Sequence, residues 1–244
     1  MVAKNTNIDT VIFLHIPKAA GTTLLQIMSR HYLKENRYAF GADAESSVVT
    51  FKALPIETKK QIKIVSGHMD FGLHQFLPQP ATYITILRDP VERVISYYYH
   101  ILRNPSHYLY DWVKENSVDF ERFSDSRITA EIDNGQTRLL AGHNYMWTVP
   151  YGECTEEMLE IAKQNLRDYF SVVGIANQFE KTLILLKLTF GWDDLFYVRA
   201  NVTKGRPKKK NVPAQARANI KRDNQLAAIP IMEFIRQELA RFQA

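Results

Sequence analysis

The sequence predicts an α/β fold, a sandwich of helices around a largely parallel central sheet. Three observations carry that expectation. Apolar, β-branched runs of strand length alternate with stretches of helical period. Turn formers or helix caps close several of these runs, and charged or hydroxyl side chains gather at the strand-to-helix turns. With 244 residues, 45% hydrophobic and 23% charged, the chain can bury a core of one-domain size, so residues 1–244 are read as a single domain.

The elements follow in order. "TVIFLH", residues 10–15, reads as a short buried strand. A helix is expected over 22–32, with Leu24, Leu25, Met28 and Tyr32 on one face. "IKIVSGH", 62–68, is a second apolar run closed by a glycine turn, and "TYITILR", 82–88, is a third strand. Asp89 then suits an N-cap and Pro90 a first helical position, and Val91, Val94, Ile95, Tyr98 and Leu102 recur at a helical period. Further helices are expected over 108–115, 134–141 and 155–169. "YFSVVGIA", 169–176, is a fourth strand, and "NQFEKTLILLKLTFGW" a helix ended by Gly191. The tail from Pro213 reads as helical, broken at Pro230.

The longest apolar runs, such as "TLILLKLTF", are too short to span a bilayer, and "MVAKNTNIDT" lacks the apolar segment of a secretory signal. One cysteine, Cys154, excludes an internal disulfide framework and fits a reducing compartment, so a cytoplasmic location is expected. The net charge of +5 is compatible with polyanionic partners but does not by itself imply nucleic acid.

Ligands of open α/β sheets lie beyond the carboxyl ends of the strands. Residues 15–23, Gly67-His68 and Arg88 all fall there. In "HIPKAAGTT" a helix N-terminus offers backbone N–H groups, Gly21 permits close approach, Thr22 and Thr23 add hydroxyls, and Lys18 adds a positive charge. A capped turn with an exposed lysine is the plainer reading. A Walker A loop is excluded, because no Gly-Lys dipeptide occurs in the chain. In "LRDPVERVISYYYH", Arg88 leaves its strand with a phosphate-matching fork, and Ser96 follows two helical turns on, on the side away from Val91, Ile95 and Tyr98.

These two motifs, in this order, resemble the 5′-phosphosulfate loop and the 3′-phosphate motif of sulfotransferases that use 3′-phosphoadenosine 5′-phosphosulfate (PAPS). The carbohydrate branch with the heparan sulfate 2-O- and 6-O-sulfotransferases is most similar. A common form of its first motif is His-Ile-Pro-Lys-Thr-Gly-Gly-Thr, where this chain keeps small residues, Ala19 and Ala20. The resemblance recurs from residue 13 to about 210 and implies a P-loop-like three-layer sandwich. It also implies PAPS as donor, 3′,5′-ADP as product, no metal, and Lys18, Ala20, Gly21, Thr22, Thr23, Arg88 and Ser96 as donor contacts.

"NVTKGRPKKK" is similar to the family's late loop over the nucleotide, which marks Lys204, Gly205 and Arg206 as further contacts. "DNGQTRLLAG" also recurs in this branch, and Gln136, Thr137 and Arg138 are read as facing the cleft. His68 resembles the proposed base of the 2-O branch, although Ser66 stands where that branch commonly has a second histidine. His74 and Asp70 are its rivals, and His15 reads as structural, holding the turn from inside. The implied partner is a carbohydrate hydroxyl, in particular of an acidic polysaccharide, on which Tyr97, Tyr98 or Tyr99 can stack. A nucleotide-dependent kinase, a non-enzymatic polyanion-binding module, and a protein tyrosine or small alcohol as acceptor are the competing readings.

Overall fold

Four strands form where the β-branched runs placed them. The computed structural model describes residues 9–41, 44–198, 209–226, 231 and 233. In chain order its strands are β1 (Thr10–Leu14), β2 (Arg37–Ala39), β3 (Ile64–Gly67), β4 (Ala81–Leu87) and β5 (Phe170–Ile175). The helices are α1 (Gly21–His31), α2 (Ala44–Ala53), α3 (Ile56–Gln61), α4 (Pro90–Ile101), α5 (Tyr110–Glu115), α6 (Phe120–Ser124), α7 (Gly135–Ala141), α8 (His143–Met146), α9 (Glu156–Tyr169), α10 (Phe179–Phe190) and α11 (Ala214–Arg222).

Several helix ends have local causes. Asp89 accepts from the Glu92 amide at 3.0 Å ahead of Pro90, and Thr155 caps α9 through the Met158 amide at 3.3 Å. Gly191 ends α10 in the left-handed conformation at φ 70°. The expected break at Pro230 lies outside the described residues.

The strands pair in the order β2-β3-β1-β4-β5, and every pair is parallel. Residues alternate across β1, β3 and β4 as the pleat requires, and a register shift in β5 puts Phe170 and Val172 on opposite faces. Val11, Phe13, Ile84, Ile86 and Val172 meet Leu24, Ile27 and Met28 of α1 and Phe179, Leu183 and Leu186 of α10. Ile12, Leu14, Val65, Tyr83, Leu87 and Phe170 face Phe51 of α2, Leu139 and Leu140 of α7, and Met158, Leu159, Ala162 and Leu166 of α9. This is a three-layer α/β sandwich around a parallel sheet, as the sequence predicts. A further core ties α4, α5, α6 and α11 together through Val94, Ile95, Ile101, Val113, Phe123 and Ile220. Among the described residues, no helix is long and apolar enough to cross a membrane.

The register positions the site. Leu14 lies opposite both Gly67 and Thr85, so β1, β3 and β4 end close together. From β1 the chain passes to one side through β3 and β2 and to the other through β4 and β5, so the sheet order reverses beside β1. That is the switch point at which parallel sheets place ligands.

Candidate functional site

Three turns converge at this point. The first, between β1 and α1, holds Lys18 and Ala20 in the left-handed region, each at φ 67°. Non-glycine residues there cost about 1–2 kcal/mol, and such strain is kept where the surrounding structure holds it. The Ala20 position is therefore more than a matter of small size: alanine stands where a glycine would adopt the same φ without strain. α1 begins at Gly21 with no side-chain cap and no acidic residue in its first turn, leaving its end open to an anion. Thr22 is exposed at this end, whereas Thr23 is buried.

The sequence assigned Gly21 to close approach of a phosphate. The structure gives its bare Cα a second cause: a Cβ there would lie 2.0 Å from Cδ2 and Nε2 of His15, whose ring is buried beneath the turn.

The second turn carries Arg88, and the structure joins it directly to the first. Its Nη1 donates to the Lys18 carbonyl at 2.9 Å and its Nη2 pairs with Glu92 at 3.2 Å. Its backbone is clamped by one side chain, because the Gln136 amide accepts from the Arg88 N–H and donates to the Arg88 carbonyl, both at 2.9 Å. Ser96 follows on α4 but is not on a solvated side. The helix is buried almost all round from Arg93 to Tyr98, and Ser96 is itself buried.

Gln136 thus supports the site from behind, while Thr137 and Arg138 correct the sequence reading, since both turn into the protein. Thr137 donates to the Leu226 carbonyl. Arg138, fully buried, pairs with Asp133 and donates to the carbonyls of Tyr145, Val149 and Pro150 at 3.1, 2.6 and 2.8 Å. Its charge is compensated by Asp133, so Arg138→Ala strands a buried carboxylate. That variant is expected to lose about 3–5 kcal/mol of stability, read as a lowered urea midpoint.

Lys204, Gly205 and Arg206 lie outside the described residues. Lys209, which sequence reasoning passed over within the basic run, bonds Asp89 at 2.6 Å and brings the end of that run to the N-terminus of α4.

The third turn carries His68, exposed at the end of β3. Its Nδ1 lies 2.8 Å from the His15 carbonyl. A carbonyl only accepts, so Nδ1 carries the proton and the neutral ring keeps its lone pair on Nε2. The rivals are engaged elsewhere. His74 bonds the Tyr83 hydroxyl at 3.1 Å and packs on Tyr169 at 4.6 Å. Asp70 faces His143 at 3.3 Å, and burial pushes its carboxyl up to about 6 despite that partner.

Beyond His68 the electrostatics are positive. His100 is pushed down to about 4, by burial first and then by Lys18, His107, Arg103 and His68. Tyr97 and Tyr98 are core residues, the latter donating to the Val118 carbonyl at 2.8 Å, which removes both as sugar-stacking surfaces. Tyr108 is instead 67% exposed, stacked on His107 at 4.7 Å.

Comparison with known proteins gives this arrangement its class. A family model described as galactose-3-O-sulfotransferase matches residues 2–229, and the chain belongs to that family. It is 26% identical over 205 residues to heparan sulfate 2-O-sulfotransferase hst-2 of Caenorhabditis elegans, covering 75% of this chain and 61% of that protein. To human galactose-3-O-sulfotransferase 2 it is 24% identical over 217 residues, covering 82% and 52%. To heparan-sulfate 6-O-sulfotransferase 1-B of Danio rerio it is 26% identical over 231 residues, covering 75% and 54%. The chain thus spans about half to three-fifths of the length of these relatives. A crystal structure of a mouse sulfotransferase complexed with PAP aligns at TM-score 0.41 and 13% identity, over 88% of this chain and 63% of that one.

Proposed function

We propose that this chain is a PAPS-dependent carbohydrate sulfotransferase. The observation that carries the reading is the bond from Arg88 to the Lys18 carbonyl, which joins the turn after β1 to the turn after β4, while the His15 carbonyl next to the first turn orients His68. In this reading the N–H groups from Ala20 to Thr23 and the threonine hydroxyls hold the 5′-phosphate. Arg88 and Ser96 hold the 3′-phosphate, and Lys204, Gly205 and Arg206 close over the nucleotide.

The acceptor hydroxyl oxygen attacks sulfur in line. A new S–O bond forms, the bond to the bridging phosphate oxygen breaks, and the hydroxyl proton passes to Nε2 of His68. The electron pair leaves with 3′,5′-ADP, and Lys18 meets the charge that develops on its 5′-phosphate. The positive surroundings of His100 and Arg103 support an acidic polysaccharide as acceptor. A single domain in a reducing, cytoplasmic compartment is part of the proposal, resting on one core-sized chain and a lone thiol, Cys154.

The test is transfer of labelled sulfate from PAPS to a panel of neutral and acidic polysaccharides. Transfer to at least one is expected, and no transfer to any would overturn the reading. Arg88→Ala is expected to weaken 3′,5′-ADP binding about 10- to 100-fold, the loss of a charge-assisted bond of about 1.5–3 kcal/mol. AMP, lacking the 3′-phosphate, should bind weakly to both proteins. Calorimetry showing equal affinity for AMP and 3′,5′-ADP in the unmodified protein would remove the role given to Arg88 and Ser96.

A further inference from the structure

We infer that the His15 side chain is a positioning residue: its ring is the spacer between the anion-binding turn and His68, and it sets the plane in which His68 meets the acceptor. The inference rests on the proposed sulfuryl transfer. Donor turn and base arise from different strands, β1 and β3, so something must fix the distance between them. The His15 ring fills that gap. On one side it occupies the space a Cβ of Gly21 would need, and on another it lies against His68 with ring centroids 4.3 Å apart and planes tilted 32°. Phe13 stacks on it at 5.2 Å and 14°, so the ring is braced from the core. The same residue's carbonyl accepts a hydrogen bond from Nδ1–H of His68. The backbone of His15 thus fixes the tautomer of His68, and its side chain fixes the ring's attitude.

Chemistry favours a neutral spacer. Burial, then the charges of His68 and Lys18, push His15 down to about 3, so its ring stays uncharged around neutral pH. His15 therefore adds no charge where a negative nucleotide and a proton-accepting base must coexist, and it enters the site by its faces. Shape is then what matters. A misplacement of about 1 Å in a reacting group can cost about 100-fold in rate.

The experiment compares His15→Ala, His15→Leu and His15→Phe, all of which keep the backbone carbonyl. Sulfate transfer is measured under saturating PAPS and acceptor, 3′,5′-ADP affinity by calorimetry, and folding by thermal melting. His15→Ala is expected to lower kcat roughly 10- to 100-fold while 3′,5′-ADP affinity stays within about threefold. His15→Phe, a flat ring without nitrogens, is expected to recover kcat to within about fivefold of the unmodified protein. Should His15→Ala not fold, His15→Leu takes its place, keeping bulk but losing the flat face, with the same expected loss.

Unchanged kcat in the alanine or leucine variant overturns the inference. So does a folded His15→Phe as slow as His15→Ala, or a parallel loss of turnover and nucleotide affinity, which would make the ring a support for the turn alone. An unmodified protein that neither transfers sulfate nor binds 3′,5′-ADP would instead sink the sulfotransferase proposal itself, so the two failures are distinguishable.

Discussion

Lys18→Ala is expected to lower the rate of sulfate transfer by about 100- to 1,000-fold, the usual cost of removing one preorganised group aimed at developing charge. The backbone at Lys18 is held by a bond independent of its side chain, since Arg88 grips the Lys18 carbonyl at 2.9 Å. Truncating the side chain leaves that bond in place and removes the ammonium. In the proposed transfer that charge is wanted most when the bridging oxygen departs, so turnover should fall further than affinity: 3′,5′-ADP binding is expected to weaken by less than about tenfold. Lys18→Arg keeps the charge and should recover part of the rate, but only part, since its fork is longer and planar. Single-turnover transfer with calorimetry on the same preparations separates the two effects. Full turnover in Lys18→Ala would remove this residue from the mechanism.

β1, β4 and β5 are buried on both faces, so their β-branched runs are legible without any knowledge of neighbours. Asp89 and Pro90 announce α4 by local chemistry alone. β2 escaped notice because Arg37–Ala39 is a three-residue edge strand with no buried position, defined by its pairing to β3. α3 is six exposed or half-buried residues, and α2 carries serine, threonine and valine without a strong period. Within the site, residue types were readable and directions were not. Gln136, Thr137 and Arg138 are consecutive and polar, yet one clamps Arg88 and the other two turn inward, because their partners, Leu226 and Asp133 among them, are tertiary. The left-handed φ of Ala20 and the His15 ring beneath Gly21 were likewise invisible to a motif that records only size.

His68→Ala is expected to cost about 100- to 10,000-fold in turnover, the range for a positioned general base, with 3′,5′-ADP affinity within about threefold. The pH dependence gives the sharper test. A general base acts only while it is unprotonated, so the transfer rate should fall on the acidic side, and removing the group that supplies the base should remove that limb along with the rate. Other nearby histidines do not imitate it: His15 is pushed down to about 3 and His100 to about 4, so both are already neutral well below the working range. Asp70 can. With its carboxyl raised to about 6 by burial, it gains charge as the pH rises through that value and would produce a limb of the same sign. Its side chain, however, is turned to His143. Asp70→Asn should therefore keep both the rate, within about fivefold, and the acidic limb, whereas His68→Ala keeps neither. A limb that vanishes in Asp70→Asn and persists in His68→Ala would move the base from the imidazole to the carboxylate two residues on.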